Sequence, residues 1–254
     1  MLGRMQEPYW FERIGTSLAQ LDGLELRVDR FRGGPQAGSQ AALDSASRDG
    51  SHAWSLATAA VQVSYDHLRA WRHLHEQLQP PFAHWTLIRT GVEAAATARW
   101  ICEPGKDNRS RGIAAEIDDL SQRRGFEERM RSRMEWAPGP NVAASIRIAP
   151  LRKHGGRAMP GPTALAGSHL PAAAIAGHLV DGEVLYRTLS AIAHAKLWAM
   201  PILSDTERGE QVELAPELAV TSVVAPGDIV WLVTDWAVTC LALAIGDLER
   251  YSIG

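Results

Sequence analysis

The chain has 254 residues, 46% of them hydrophobic and 22% charged, with 26 basic against 29 acidic side chains. That composition excludes a disordered chain, and the length suffices for a core that needs no disulfide or metal staple. A formal net charge of -3 argues against a broad cationic coat for nucleic acid or anionic membrane. Two cysteines, Cys102 and Cys240, exclude a disulfide scaffold or a four-cysteine zinc site.

The first residues, Met1 to Pro8, carry no apolar stretch of the secretory type, so a cytoplasmic protein is expected. Residues 1–32 read as weak helix interrupted by Gly15 and Gly23, and the Gly/Ser/Ala-rich stretch 33–51 reads as a linker. The chain therefore divides into an N-terminal helical segment with its linker, 1–51, and a bundle, 52–254. Ser51 is placed to cap a helix running to Leu78, with Trp54, Ala57, Val61, Tyr65, Leu68 and Leu74 at helical spacing, and Pro80-Pro81 stops it. A second helix is expected from Phe82 to Cys102, where Ala94-Ala95-Ala96 would let a neighbour approach closely and Pro104-Gly105 ends the run.

A third helix, Asn108 to Trp136, mixes seven arginines with six carboxylates and reads as a solvated face with i,i+4 pairs. Residues 137–179 are rich in Pro, Gly and Ala and read as a long loop. A helix from Asp181 to Met200 follows, ended by Pro201. Residues 202–225 have β character and suggest a short hairpin, and the last helix runs from Pro226 to Tyr251. Its apolar stretch, Ile229 to Gly246, is about 18 residues long, the lower limit for a membrane span. Asp235 in its middle would cost roughly 2.5–3.5 kcal/mol in a bilayer, so a buried core helix and no membrane contact are expected. The sum is an all-α, up-and-down helical bundle with one long Pro/Gly-rich loop and a short hairpin before the last helix.

Familiar catalytic signatures fail in turn. There is no dinucleotide or phosphate glycine loop, no His-Glu-x-x-His, no Glu-x-x-His and no Gly-x-Ser-x-Gly. His67, His73 and His75 share a helix, but His67 and His75 lie about 80° apart around its axis, so no metal pair is expected. No cofactor is expected. Both cysteines sit in apolar helical contexts and read as inert, and the nine tryptophans read as core anchors.

One segment stands out. At about 100° per residue, Glu183, Arg187, Ser190 and His194 fall close to one line on a helix whose other faces carry Val184, Leu185, Leu189, Ile192 and Ala193. A histidine can move a proton near neutral pH, and an arginine can hold the negative charge that builds on a phosphate. Glu183 would orient Arg187, and Ser190 would orient the imidazole or touch substrate. A second pair, Arg89 and Glu93, stands one turn apart among Gly, Val and Ala, where a carboxylate needs a partner.

Arg187, six residues and His194 on a helix of a bundle resemble the Arg-x4-6-His motif of the HEPN superfamily. The Arg89-Thr-Gly-Val-Glu93 helix resembles an Arg-x-x-x-Glu helix of HEPN-like bacterial proteins. Arg69/His75 and Arg147/His154 have similar spacings, and the ordered polar stripe singles out Arg187/His194. The residue after the arginine, often Asn or Asp in the family, is Thr188. Over 52–250 the resemblance implies a metal-independent ribonuclease of toxin or antiphage-defence type. Arg187 and His194 would be catalytic, Glu183, Ser190, Arg89 and Glu93 supporting, and the site would be composite across a homodimer. RNA would be the substrate and an antitoxin-type protein a partner. The alternatives are a non-catalytic interaction or regulatory bundle, or a small-molecule pocket lined by Arg89, Glu93 and tryptophans.

Overall fold

The computed structural model describes residues 7–46, 52–77, 83–131, 148, 150–151, 182–194, 211–215, 218–221 and 226–253. In chain order they form α1 (Glu7–Ala19), α2 (Leu21–Arg30), a 3-10 turn (Phe31–Gly33), α3 (Gln40–Ser45), α4 (Ala53–Gln77) and α5 (Ala83–Cys102). There follow α6 (Asn108–Arg131), α7 (Gly182–Ala193), β1 (Gln211–Ala215), β2 (Leu218–Thr221) and α8 (Gly227–Ile253). The expected all-α bundle is what forms. The short hairpin also forms, with Gln211 opposite Thr221 and Val212 opposite Val220 in an antiparallel ladder that is irregular between Glu213 and Ala215.

The centre is built by α4, α5 and α8. The broadest contact joins α4 to α5, and α8 lies along α5 while also meeting α1 and α4. The pattern explains the packing: α4 turns Ala57, Val61, Leu68 and Trp71 inward, and α5 answers with Ile88, Val92, Ala95 and Ala96, all buried. At Gly91 an added Cβ would stand 3.2 Å from the Leu68 side chain, so α4 and α5 approach closely there. Ala95 and Ala96 are fully buried and Ala94 is half-buried, in keeping with the close approach expected of that run.

The apolar helix α8 is a packed element, with Val233, Ala237, Leu241, Ala244 and Leu248 in the core. The same helix is long and apolar enough to cross a membrane, with a window of mean hydropathy 1.9 that is 50% buried within the protein. Four of its five charged residues have partners. Ser17 Oγ of α1 donates to Asp235 at 2.7 Å, and the buried Asp247 accepts from Arg99 Nε at 3.1 Å and from Arg250. Arg27 of α2 grips Glu249 with two hydrogen bonds of 3.0 and 2.7 Å.

The stretch expected to be a linker is in part structured. Ser39, extended at ψ 160°, accepts from the Ala42 amide at 3.3 Å and caps α3. From α3, Ala41 and Asp44 point into the protein, where Tyr251 donates to Asp44 at 2.7 Å. The Gln36 amide reaches the Ser252 carbonyl at 2.9 Å. A six-residue helix is too short to leave a periodic signal, and its Gly/Ser flanks are a cap and two positive-φ turns at Gly34 and Gly38.

The break after α5 follows the sequence closely. Lys106 N donates to Glu103 O at 3.3 Å, closing a turn with Pro104 second and Gly105 third. The third residue of a type II turn needs positive φ, and Gly105 has φ +75°. Asn108 donates to the Ile101 and Glu103 carbonyls, sealing the end of α5, while Asp107 accepts from the Ser110 amide and starts α6. On α6 the expected i,i+4 pairs appear, Arg123–Glu127 at 2.8 Å and Arg124–Glu128 at 3.7 Å. The face is not wholly solvated: Glu116 and Glu127 are buried beside Ile113, Ile117 and Leu120.

Helix ends agree with expectation to within a few residues at α4, α5 and α8. Helix α6 is described to Arg131 and α7 to Ala193; the predicted extensions to Trp136 and Met200 lie outside the described residues. So does the predicted loop, apart from Ile148, Pro150 and Leu151, which are helical, with Ile148 and Leu151 packed on Leu120. Ser51 and Trp198 are outside them as well. Trp71, Trp85 and Trp100 are buried and Trp54, Trp231 and Trp236 pack partly against the core, the anchoring expected of them. Both cysteines are buried, and burial pushes their thiols up, Cys240 to about 12.

His75 links this core to pH. Its Nε2 donates to the Phe11 carbonyl of α1 at 3.1 Å, the ring stacks on Phe11, and Trp71 meets it edge-on. Its Nδ1 is buried with no hydrogen-bond partner, so an imidazolium would place an unmatched N–H in the core. Burial holds the His75 pKa below its usual 6.5, outweighing the Phe11 carbonyl and Glu76. A histidine depressed in the folded state leaves stability intact above the unfolded pKa. As pH falls below about 6.5 the unfolded chain takes the proton first and stability drops. Urea midpoints of the wild type should therefore fall from pH 7.5 to 5.5 (about one unit either side of that value), and His75→Gln should show a shallower fall. Equal pH slopes in the two proteins would disprove a role for His75.

Candidate functional site

Helix α7 packs on α5, and the polar residues singled out in the two helices meet there. On α5, Arg89 Nε donates to Glu93 Oε1 at 2.8 Å, with side chains 19% and 20% exposed. Partial burial screens this pair less than an open surface salt bridge, which is commonly worth below about 1 kcal/mol, and also costs it hydration. The second arm of the guanidinium, Nη1, lies 3.4 Å from His194 Nε2 at the end of α7. An arginine can only donate, so this contact uses Nε2 as acceptor and assigns the proton of the neutral ring to Nδ1. The helical pattern carries to His194, whose amide donates to the Ser190 carbonyl at 3.1 Å.

Tyr186 completes the cluster. The Arg89 guanidinium carbon lies 5.6 Å from its ring centroid, within cation–π range. Burial chiefly, and then the Glu93 carboxylate, push the phenol above its usual range, with Arg89 opposing. Tyr186 was absent from the expected site, although it lies only about 60° from the polar line on the helical wheel. Leu189 and Ile192 are buried as expected, but Val184 is 66% exposed, so the apolar arc of α7 is narrower than the sequence suggested.

Two guanidiniums thus stand near one imidazole in different ways. Arg187 and His194 are both exposed on α7. Seven residues of helix separate their backbones by roughly 10 Å along the axis, and side chains lean toward the helix N-terminus, so Arg187 leaves its backbone away from His194. Arg89, 105 positions earlier in the chain, is the arginine that touches the ring. Thr188, at the motif's usual polar position, spends its hydroxyl on the Val184 carbonyl at 2.9 Å. Ser190 is half-buried, and the Glu183 side chain is outside the described set. From α5, Arg89 reaches the His194 ring directly, and Glu93 is linked to it only through Arg89.

Chemically, the cluster offers an exposed imidazole whose accepting nitrogen is held by a guanidinium that a carboxylate fixes from behind. Such an arrangement can hold an oxyanion on the guanidinium, and the imidazole can take a proton from a hydroxyl only once Arg89 leaves Nε2. Among the described residues no group of three His, Cys, Asp or Glu side chains is gathered to hold a metal ion. No protein-family model matches the chain, and no curated protein or solved structure is significantly similar to it.

Proposed function

We propose that the protein is a metal-independent endoribonuclease of HEPN-like type, of the kind used as a toxin or in defence against phage, acting on RNA in the cytoplasm. The observation that carries this reading is the contact of Arg89 with an exposed His194, with Arg187 exposed on the same helix. In the proposed reaction the phosphate draws Arg89 Nη1 off the ring, and the freed Nε2 of His194 takes the proton of a ribose 2′-hydroxyl. The 2′-oxygen forms a bond to phosphorus and the bond to the 5′-oxygen breaks. Arg89 and Arg187 hold the charge that builds on the non-bridging oxygens. The departing 5′-oxygen takes a proton from the imidazolium of a second copy, which is why the active form is a homodimer. Glu93 keeps Arg89 in place and Tyr186 supports its flat face. No cofactor enters the scheme, and an antitoxin-type partner would cover His194.

The test is cleavage of a mixed-sequence RNA in excess EDTA by wild type, His194→Ala and Arg89→Ala. Loss of a proton-transfer group commonly costs 10²–10⁴-fold, so His194→Ala should lose at least about a hundredfold, with its far-UV dichroism and melting temperature unchanged. Equal cleavage by wild type and His194→Ala, or none by either, removes the nuclease. A second reading has its own support: the Arg89–Glu93 pair neutralises its own charge, as a purely structural network would. A non-catalytic interaction bundle would then show no cleavage, yet would lose stability in Arg89→Ala.

A further inference from the structure

Helix α8 keeps one side out of the core. Among the described elements it packs on α1 to α5, and along its outer side Asp228, Leu232, Thr239, Leu243 and Arg250 are exposed. At about 100° per residue these five fall within about 60° of arc. Their spacings of four and seven residues make the straight stripe by which one helix seats along another. Two large apolar side chains stand in it, Leu232 at 52% and Leu243 at 45% exposure. Half-buried Trp236 and Gly246 continue the same side.

The stripe is complementary to its own reverse. Turned end for end about Thr239, it sets Asp228 on Arg250, Leu232 on Gly246 and Trp236 on Ala242. That is an acid on a base, and twice a bulky side chain on a small one. Asp228 has no side-chain partner among the described residues, and Arg250, which spends one nitrogen on Asp247, is 62% exposed. Gly246 points the same way. Glycine weakens a helix interior relative to alanine, and the packing of this chain does not demand it there. An added Cβ would stand 3.8 Å from the tip of Arg250 and 4.0 Å from that of Arg27, ordinary contact with the ends of flexible side chains. A close approach from outside gives the glycine a use. We propose that this stripe docks a second copy of the chain, α8 against α8, antiparallel about a two-fold axis at Thr239. Each Leu232 then fills the notch at the partner's Gly246, and each Trp236 covers the partner's Ala242. Asp228 meets the partner's Arg250 at both ends, about 33 Å apart along the helix. The two-fold makes every favourable pair twice. A single helical seam falls short of the roughly 800 Å² per partner of a standard interface, so association at about 10–100 µM is expected. The surface shares no residue with the α5–α7 cluster and does not rest on the nuclease reading.

Sedimentation velocity without RNA, from about 1 to 200 µM, should show the wild type passing from monomer to dimer. Leu232→Lys changes an exposed side chain and should stay monomeric throughout, with unchanged far-UV dichroism. Asp228→Asn should weaken the dimer about threefold to tenfold, since two ion pairs go at once. Gly246→Ala should weaken it as well, while raising the melting temperature of the dilute monomer. Thr239→Cys tests the register. Residues facing one another across helix axes about 8–10 Å apart stand within disulfide reach, and both native cysteines are buried. Mild oxidation at about 100 µM should therefore convert Thr239→Cys to a covalent dimer, and Val63→Cys, exposed on α4, should stay a monomer. The proposal is overturned by a wild type that remains monomeric at about 200 µM, by Leu232→Lys dimerising as the wild type does, or by equal cross-linking at positions 239 and 63. A wild type that co-sediments with phosphatidylcholine vesicles and forms no dimer overturns it too, and gives the face to lipid.

Discussion

Trp71→Ala is expected to destabilise the protein by about 3–5 kcal/mol, the range found when a large aromatic is cut from a packed core. Trp71 is 2% exposed and sits where α4, α5 and α8 converge. Its ring lies 5.0 Å from His84 and 5.4 Å from His75, and its Nε1 donates to Thr234 Oγ1 of α8 at 3.0 Å. Truncation opens a void lined on three sides and removes this side-chain link between α4 and α8. Trp71→Phe separates the two contributions. It keeps most of the volume, and Thr234 keeps its own bond to the Val230 carbonyl at 2.7 Å, so the loss should fall to about 1–2 kcal/mol. Urea unfolding read by circular dichroism measures both. A cost below about 1 kcal/mol for Trp71→Ala would mean that the three helices do not meet around this ring.

Gly112→Ala gives the second large effect, and its sign runs against helix propensity. In an open helix, alanine is better than glycine by about 1 kcal/mol. At Gly112, however, the new Cβ would stand 2.3 Å from Ala53 Cβ and 2.6 Å from Ala53 Cα. The second of these is backbone at the first turn of α4, so no rotamer change relieves the clash and α4 and α6 must part. Overpacking of this kind costs about 1–3 kcal/mol. Gly125→Ala, on the same helix, is the internal control. Its nearest neighbour is the far end of Arg129, at 3.5 Å, and it should stabilise by up to about 1 kcal/mol. Opposite signs for the two substitutions are expected; a stabilising Gly112→Ala would place α6 elsewhere.

Helix limits were legible wherever the chain itself enforces them. Pro104-Gly105 stops α5 because glycine alone adopts the turn's positive φ cheaply, and Pro226 leads into α8 because its missing amide costs a first turn nothing. The α3 segment was misread because composition averages over a window. Ser39 and Asp44 act one by one, through a cap and a hydrogen bond to the far end of the chain. The candidate site was half legible for the same reason. Spacing along α7 placed Arg187, Ser190 and His194, and spacing along α5 placed Arg89 and Glu93, because each set lies within one helix. That Arg89 rather than Arg187 meets the imidazole is a tertiary fact, fixed by how α7 seats on α5, and no local pattern encodes it. Tyr186 escaped notice because a tyrosine beside a polar line looks like core until a guanidinium is seen against its ring.

The grips of α8 on the N-terminal helices bear on the order in which the chain can assemble. Ser17 with Asp235, Arg27 with Glu249 and Asp44 with Tyr251 join positions 218, 222 and 207 apart. On a ribosome, which delivers roughly 5–20 residues each second, α1 to α3 emerge some ten seconds or more before the helix they clasp. Helices α4 and α5 can zip together locally in that interval, since little chain separates them. The apolar sides of Leu18, Leu21 and Leu24, buried at the end, lack their full cover until the last turn of α8 is out. Nascent chains halted before residue 227 should therefore hold α1 and α2 open to protease, and chains extended past residue 253 should close them.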